Sequence, residues 1–191
     1  MPTTQTVSPS TTPISVAEAK QHLRVDHDSD NNYIASLISV ATKTAEQFLR
    51  KALMQQTRRL DVCEFPASEF VLDMPPLNAV TSLDYTATDG STATVGSSVY
   101  DVDTASVPGR VLLAKDQTWP TPQEETHDAV RLTYTTGVSA SSLVPVEYKH
   151  AIKLLVERWY EHRGEVAQGN LKELPHSVDA LLRPTRNMRF V

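Results

Sequence analysis

At 191 residues, with 40% hydrophobic and 21% charged residues, a mean hydropathy of −0.31 and a formal net charge of −5, the chain has the composition of an ordinary soluble protein. That balance excludes a wholly disordered chain, and no apolar run approaches the ~18 residues that a membrane span needs. A single cysteine, Cys63, excludes an internal disulfide and a cysteine-based metal cluster, and in a strand-like context it reads as a small buried apolar residue.

The charge is unevenly spread. Residues 1–60 carry 7 basic and 5 acidic side chains, residues 61–130 carry 2 and 12, and residues 131–191 carry 9 and 6. The middle third therefore stands at −10 between mildly positive flanks. Such a segment repels nucleic acid, which argues against a simple DNA-binding module unless DNA has to pass without sticking. A solvated acidic sheet surface accounts for the same residues.

In chain order, residues 1–13 (MPTTQTVSPSTTP) lack the basic and apolar blocks of a secretory signal and read as a Ser/Thr/Pro-rich tail, disordered until something binds it. Ser15 and Glu18 stand at the spacing of a capping box and open a short helix with Val16, Ala19 and Leu23 on one face, Ile14 preceding the cap as a staple. In the connection that follows, Asp26, Asp28 and Asp30 alternate as in a calcium loop. The required glycine is Asn31, however, and the required glutamate is Leu37, so a hydrated loop is expected and no metal site. From Asp30, read as an N-cap whose carboxylate accepts first-turn amides, a long helix runs to Ala52. Its apolar residues Ile34, Leu37, Ile38, Ala41, Ala45, Phe48, Leu49 and Ala52 keep the helical period, and this face is the one the rest of the chain must cover.

Beyond it the period becomes alternating. QQTRRLDVCEF, EFVLDM, AVTSLDYTAT, STATVG, VYDVD, RVLLAK and DAVRLTYTTG read as short strands, with Asp89 and Gly90 as a two-residue hairpin turn. The long acidic loop AKDQTWPTPQEETH carries one aromatic, Trp119, to pin it. Helical period returns through VEYKHAIKLLVERWYEHRG, with Pro145 in the first turn, Tyr148, Ile152, Leu155, Val156, Trp159 and Tyr160 on the apolar face, and Gly164 as the stop. Ser177 caps a last short helix, VDALL, and the chain closes on RPTRNMRFV, whose Arg183, Arg186 and Arg189 have no acid among them. A solvated tail and an arm that docks on an acidic partner both fit that stretch.

The fold class expected is α+β: a helical body of two long helices plus short helices, a small antiparallel β unit inserted between them, and extended terminal arms. The expected organisation is a disordered tail over 1–13, one domain over 14–182 and a C-terminal arm over 183–191. Within the domain, helices occupy 15–52, the β unit 55–136, a helix 145–163 and a short helix 177–182. No nucleophile elbow, phosphate-binding glycine loop or zinc-protease helix occurs. Arg158 and His162 lack the second element or carboxylate pair that metal-assisted phosphodiester chemistry needs, so no enzyme, catalytic residue, metal or cofactor is expected.

Several phrases, in this order, resemble the head-to-tail connector, or adaptor, family of tailed bacteriophages and gene transfer agents. They are ISVAEAKQHLRVDHDSDNNYIASLISVATKTAEQFL, VYDVD, the WP of QTWP, VRLTYTTG followed by VPVEYKHAIKLLVERWYEHRGE, and LPHSVDALLRPTRN, so the resemblance runs from Ile14 to Asn187. The long head before Ile14, and Thr185 where an aromatic is expected, depart from it. The resemblance implies a non-enzymatic virion protein of the neck, made in the host cytoplasm. It would form a cyclic homo-oligomer, a dodecamer in the particle, under the portal protein. It would extend the DNA channel without sequence-specific binding and without a membrane, and would offer a platform to a neck/stopper or tail-terminator protein. On that reading Leu181, Leu182, Arg183, Arg186, Arg189 and Phe190 dock on the portal. Part of the acidic segment, Asp84, Asp89, Asp101, Asp103, Asp116, Glu124 and Glu125, faces the channel. The competing reading is a transient DNA-packaging or nucleic-acid-handling factor that leaves the particle, for which strong salt-dependent DNA binding would be diagnostic.

Overall fold

The computed structural model describes residues 3–124, 126–162 and 175–187. Its class is α+β, as the periodicities require, but where one domain was expected the chain divides into two compact units that alternate along the sequence. One combines Met1–Pro9 with Gln55–Gly137, and the other combines Ser10–Met54 with Val138–Val191.

The second unit is helical. Among the described residues it contains α1 (Val16–Leu23), α2 (Asn31–Leu49), α3 (Val146–Glu161) and α4 (His176–Leu182). None is long and apolar enough to cross a membrane. Ile34, Ile38, Ala41, Ala45 and Leu49 of α2 are buried against Tyr148, Ala151, Ile152, Leu155 and Val156 of α3, with Ile14, Ala19, Val178 and Leu182 closing the same core. Spacings of three and four put these residues on facing stripes, so burying the stripes and joining the helices are one event.

The capping box of α1 forms: Ser15 N–H donates to Glu18 Oε2 at 2.7 Å and Glu18 N–H donates to Ser15 Oγ at 3.1 Å. The Ser15 backbone amide, chiefly, holds the Glu18 carboxyl below the usual glutamate range. A carboxyl depressed by folding contributes stability above its unfolded pKa and loses that contribution as pH falls through the folded value. Acidification below the ordinary glutamate range should therefore lower the thermal midpoint of the helical unit, and Glu18→Gln should flatten part of that decline, as followed by circular dichroism. Ser15→Ala should cost about 1 kcal/mol at neutral pH.

Asp30 does stand at the N-cap of α2 but makes no side-chain cap hydrogen bond. Its Oδ2 instead accepts from the Tyr160 hydroxyl at 2.5 Å, so this carboxylate ties the start of α2 to the end of α3. Helix α3 begins one residue after Pro145, which is itself the N-cap, and Gly164 lies outside the described residues. The buried Glu46 accepts from the Leu53 amide at 2.7 Å and so satisfies a donor just past the end of α2.

In the β unit the strands are β1 (Thr3–Val7), β2 (Gln56–Val62), β3 (Glu69–Val71), β4 (Leu77–Thr86), β5 (Thr92–Thr94), β6 (Tyr100–Asp103), β7 (Arg110–Leu113) and β8 (Val130–Thr136). They form an antiparallel five-stranded sheet in the order β1-β2-β8-β4-β5 and an antiparallel three-stranded sheet in the order β3-β7-β6. Leu60, Leu132 and Leu83 stand side by side on neighbouring strands of the larger sheet. They join Phe70 and Val111 of the smaller sheet in one buried cluster. Tyr134 is fully buried in it, its hydroxyl donating to the Asp73 carbonyl at 3.1 Å, and burial pushes its phenol upward. Gly109 is required by close approach, since a Cβ there would lie 2.5 Å from Leu77 Cβ.

Three expectations are corrected in this unit. The N-terminal tail is in part a strand: Thr3 to Val7 form the edge strand β1, laddered to β2, with Arg58 Nη2 donating to the Thr3 carbonyl at 3.1 Å and to its Oγ1 at 3.0 Å. The β-branched residues Thr3, Thr4, Thr6 and Val7 suit a pleated strand, a local preference that the Ser/Thr/Pro composition of the whole segment conceals. Cys63 is exposed, with Sγ 3.3 Å from the His127 carbonyl, because it follows the last residue of β2. At Asp89 and Gly90 the loop is one residue longer than a two-residue turn: Gly90 N–H donates to the Ala87 carbonyl and Ala87 N–H to the Ser91 carbonyl, both at 2.8 Å, and of the two residues only Gly90 has positive φ (82°). This is a tight turn closed by a left-handed glycine, with Asp89 free to accept from the Ser91 amide at 2.9 Å.

Candidate interaction surfaces

Among the described residues no group of three His, Cys, Asp or Glu side chains is placed to hold a metal ion. The sequence candidates lie in the C-terminal residues and among the acids of the β unit.

The C-terminal residues are already engaged within the helical unit. Leu182 is fully buried in its core and Leu181 packs against that core, so these leucines are not an exposed docking face, contrary to the expectation. Their positions, three and four after Val178, put them on the face of α4 that the rest of the unit covers. Arg183 holds Asp179 through Nε at 2.8 Å and Nη2 at 3.1 Å, the guanidinium of Arg186 lies 5.0 Å from the centre of the Phe48 ring, and Asn187 N–H donates to the Leu49 carbonyl at 2.9 Å. Arg183 and Arg186 remain exposed. Arg189 and Phe190 lie outside the described residues.

The acidic candidates fall on two sheets and the loops that join their strands. Asp84 in β4 accepts from Ser82 Oγ at 2.8 Å and Thr94 Oγ1 at 2.6 Å. Asp89 lies in the β4–β5 turn, and the Ser91 hydroxyl, chiefly, holds its carboxyl below the usual aspartate range. Asp101 and Asp103 belong to β6, where the Ser106 hydroxyl leads in depressing Asp103. Asp116, with φ at 61°, and Glu124 are exposed on the long loop before β8, and Glu125 lies outside the described residues. Every described member thus keeps to the β unit, and the serine hydroxyls on Asp89 and Asp103 favour the charged form of those two carboxyls.

Sequence reasoning missed two features. Leu143 and Val146, at the entry to α3, are 60% and 76% exposed. Val146 sits roughly opposite Tyr148 on the helix, so the 3.6-residue period did contain that signal. The other is a groove of about 600 Å³ in the β unit, between the segment after β2 and the loop before β8. Its wall is the Phe65 ring stacked on Trp119 at 5.0 Å and 11°, with Trp119 edge-on to Phe70 at 5.9 Å and Phe65 edge-on to Tyr85 at 5.9 Å. Trp119 thus pins its loop as expected.

Residues 13–106 match the family described as phage gp6-like head-tail connector protein. Over that stretch, just under half of its length, the chain is similar to the phage gp6-like head-tail connector family. The fold also has solved counterparts over its whole length. A chain of the neck of an empty gene transfer agent particle, computed with C6 symmetry, is 24% identical with a TM-score of 0.79. One from the virion of a native gene transfer agent particle is 23% identical with a TM-score of 0.81, and one from the neck of a native particle, computed with C12 symmetry, is 24% identical with a TM-score of 0.78. Each comparison covers 100% of this chain and 98% of the other. No curated protein matches the sequence.

Proposed function

We propose that the protein is a structural adaptor of the virion neck, a ring bound beneath the portal that extends the DNA channel and joins the capsid to the next neck or tail component. The family match over residues 13–106 carries this reading. The full-length likeness in fold to chains of gene transfer agent necks, one computed with C12 symmetry, supports the ring and its dodecameric order. A closed ring requires each subunit to present two different, complementary lateral faces. The partners are further copies of the chain, the portal protein, a stopper or tail-terminator protein, and DNA that passes without being read. Assembly takes place in the host cytoplasm.

The exposed acids of the β unit, Asp89, Asp101, Asp116 and Glu124 with Asp84, Asp103 and Glu125, rim the channel in this reading, where like charge keeps DNA mobile. Arg183 and Arg186, followed by Arg189 and Phe190, meet the portal. Charge-assisted hydrogen bonds to portal carboxylates must exceed the entropy lost in ordering those side chains.

Native mass spectrometry of the purified protein, alone and mixed with its cognate portal, tests the proposal. A ring, or a monomer that assembles on the portal with matching stoichiometry, is the expected result, and a monomer that ignores the portal refutes it. Arg183→Glu combined with Arg186→Glu is expected to weaken portal binding tenfold or more. Unfolding of the helical unit should shift by no more than about 1 kcal/mol, because an exposed ion pair and an exposed cation–aromatic contact contribute little to stability.

A further inference from the structure

The turn between β4 and β5 carries chemistry that no part of the adaptor reading uses. We propose that the Asp89–Gly90 step is a site of spontaneous backbone isomerisation to isoaspartate, and that the Ser91 hydroxyl sets its rate. It is the single Asp-Gly step in the sequence, and no Asn-Gly step occurs. Asp89, Gly90 and Ser91 are all exposed, and no atom lies within 4 Å of where a Cβ on Gly90 would stand. The Gly90 nitrogen is therefore unshielded by a side chain, and the space beside it is open to a newly formed ring.

The reaction consumes nothing overall. The Gly90 nitrogen gives up its proton and bonds to the carbon of the Asp89 side-chain carboxyl, which loses an oxygen as water and leaves a five-membered succinimide. Water then adds to one of the two ring carbonyls and breaks the bond from that carbon to nitrogen. Addition at the side-chain carbonyl restores aspartate. Addition at the main-chain carbonyl leaves the chain running through the side-chain carbon, one methylene longer, with the main-chain carboxylate free.

Three hydrogen bonds oppose the first step. Ser91 Oγ and Ser91 N–H donate to Asp89 Oδ1 at 2.6 and 2.9 Å, which favours the charged carboxylate, the form that a nucleophile attacks least readily. Gly90 N–H donates to the Ala87 carbonyl at 2.8 Å, a bond that must break before the nitrogen can attack. Of the three donors, the hydroxyl alone belongs to a side chain, so it is the one that sequence can tune. The turn is also where an added backbone atom does most harm. β5 is an edge strand that pairs with β4 at three positions, Asp84 with Thr94, Tyr85 with Ala93 and Thr86 with Thr92. A lengthened turn shifts one strand against the other, and so short a ladder has few bonds with which to resist.

The test incubates the full-length protein beside a free peptide of residues 87–95 at neutral pH. Isoaspartate at position 89 is counted by mass spectrometry after methyl transfer from S-adenosylmethionine by an isoaspartate-specific methyltransferase. The folded protein should form it about tenfold or more slowly than the peptide, because the turn restrains both reacting groups. Ser91→Ala should age about three- to tenfold faster than the wild type, the factor that one net hydrogen bond supplies. Ser91→Thr keeps a hydroxyl and should age at the wild-type rate, which separates the loss of that donor from any change in the backbone. Asp89→Glu, which would have to close a six-membered ring, should give no signal at this position. The proposal is overturned if Ser91→Ala ages at the wild-type rate, if Ser91→Thr ages as fast as Ser91→Ala, or if the wild-type protein ages as fast as the peptide. None of these readouts depends on ring or portal assembly, so failure here leaves the adaptor reading standing.

Discussion

Leu132→Ala is expected to lower the unfolding free energy of the β unit by about 3–4 kcal/mol. Leu132 is fully buried on β8, the middle strand of the five-stranded sheet, and stands between Leu60 and Leu83 with Phe70 and Val111 in the same cluster. Truncation removes the transfer free energy of the side chain and leaves a void that neighbours on both flanking strands can fill only by moving their own backbones. Leu132→Ile, which conserves volume, should cost less than about 1.5 kcal/mol. Urea unfolding followed by circular dichroism distinguishes the two, and similar losses for both would mean that branching at this position, and not volume, is what the cluster requires.

Leu182→Ala is expected to destabilise the helical unit by about 2–4 kcal/mol while leaving the charge of the C-terminal segment intact. Leu182 is fully exposed in a free arm but fully buried here, in the cluster that contains Ile38, Leu49 and Ile152. A loss of portal binding in this variant would accordingly track unfolding, whereas a loss in the Arg183 and Arg186 variant would not. Measuring thermal stability and portal affinity on both variants separates the two causes. If Leu182→Ala left the stability unchanged and abolished binding, the buried placement of α4 would be the error.

The helical unit was legible because its decisive information is local. Ile34, Ile38, Ala41, Ala45 and Leu49 recur at helical spacing, and the Ser15–Glu18 box is complete within four residues, so both can be read without knowing what they meet. The strands were legible as segments for the same reason. Their partition into two sheets was not, because β2 finds β8 and β3 finds β7 across long stretches of chain, and alternation alone carries no information about the partner. Residues with two plausible roles went astray. Asp30 fits a cap by type, yet a tyrosine from α3 claims its carboxylate. Leu182 fits an exposed arm by its neighbours Arg183 and Arg186, yet its register on α4 puts it inside. The groove was invisible for a further reason, since Phe65 and Trp119 lie on separate loops and only folding stacks them.

The strand order also constrains how the protein emerges during synthesis. β1 is translated first, yet its partner β2 follows only after α1 and α2, and the five-stranded sheet has β8, the last strand made, at its centre. Neither the β1–β2 pair nor the β4–β5 pair has its central neighbour until residue 136 has left the ribosome. At roughly 5–20 residues per second, the unpaired Thr-rich edge strand and the apolar strands β2 and β4 wait for seconds in the company of the nascent chain's helices. The sheet becomes continuous only when β8 pairs with both β2 and β4, so its closure waits on its last strand.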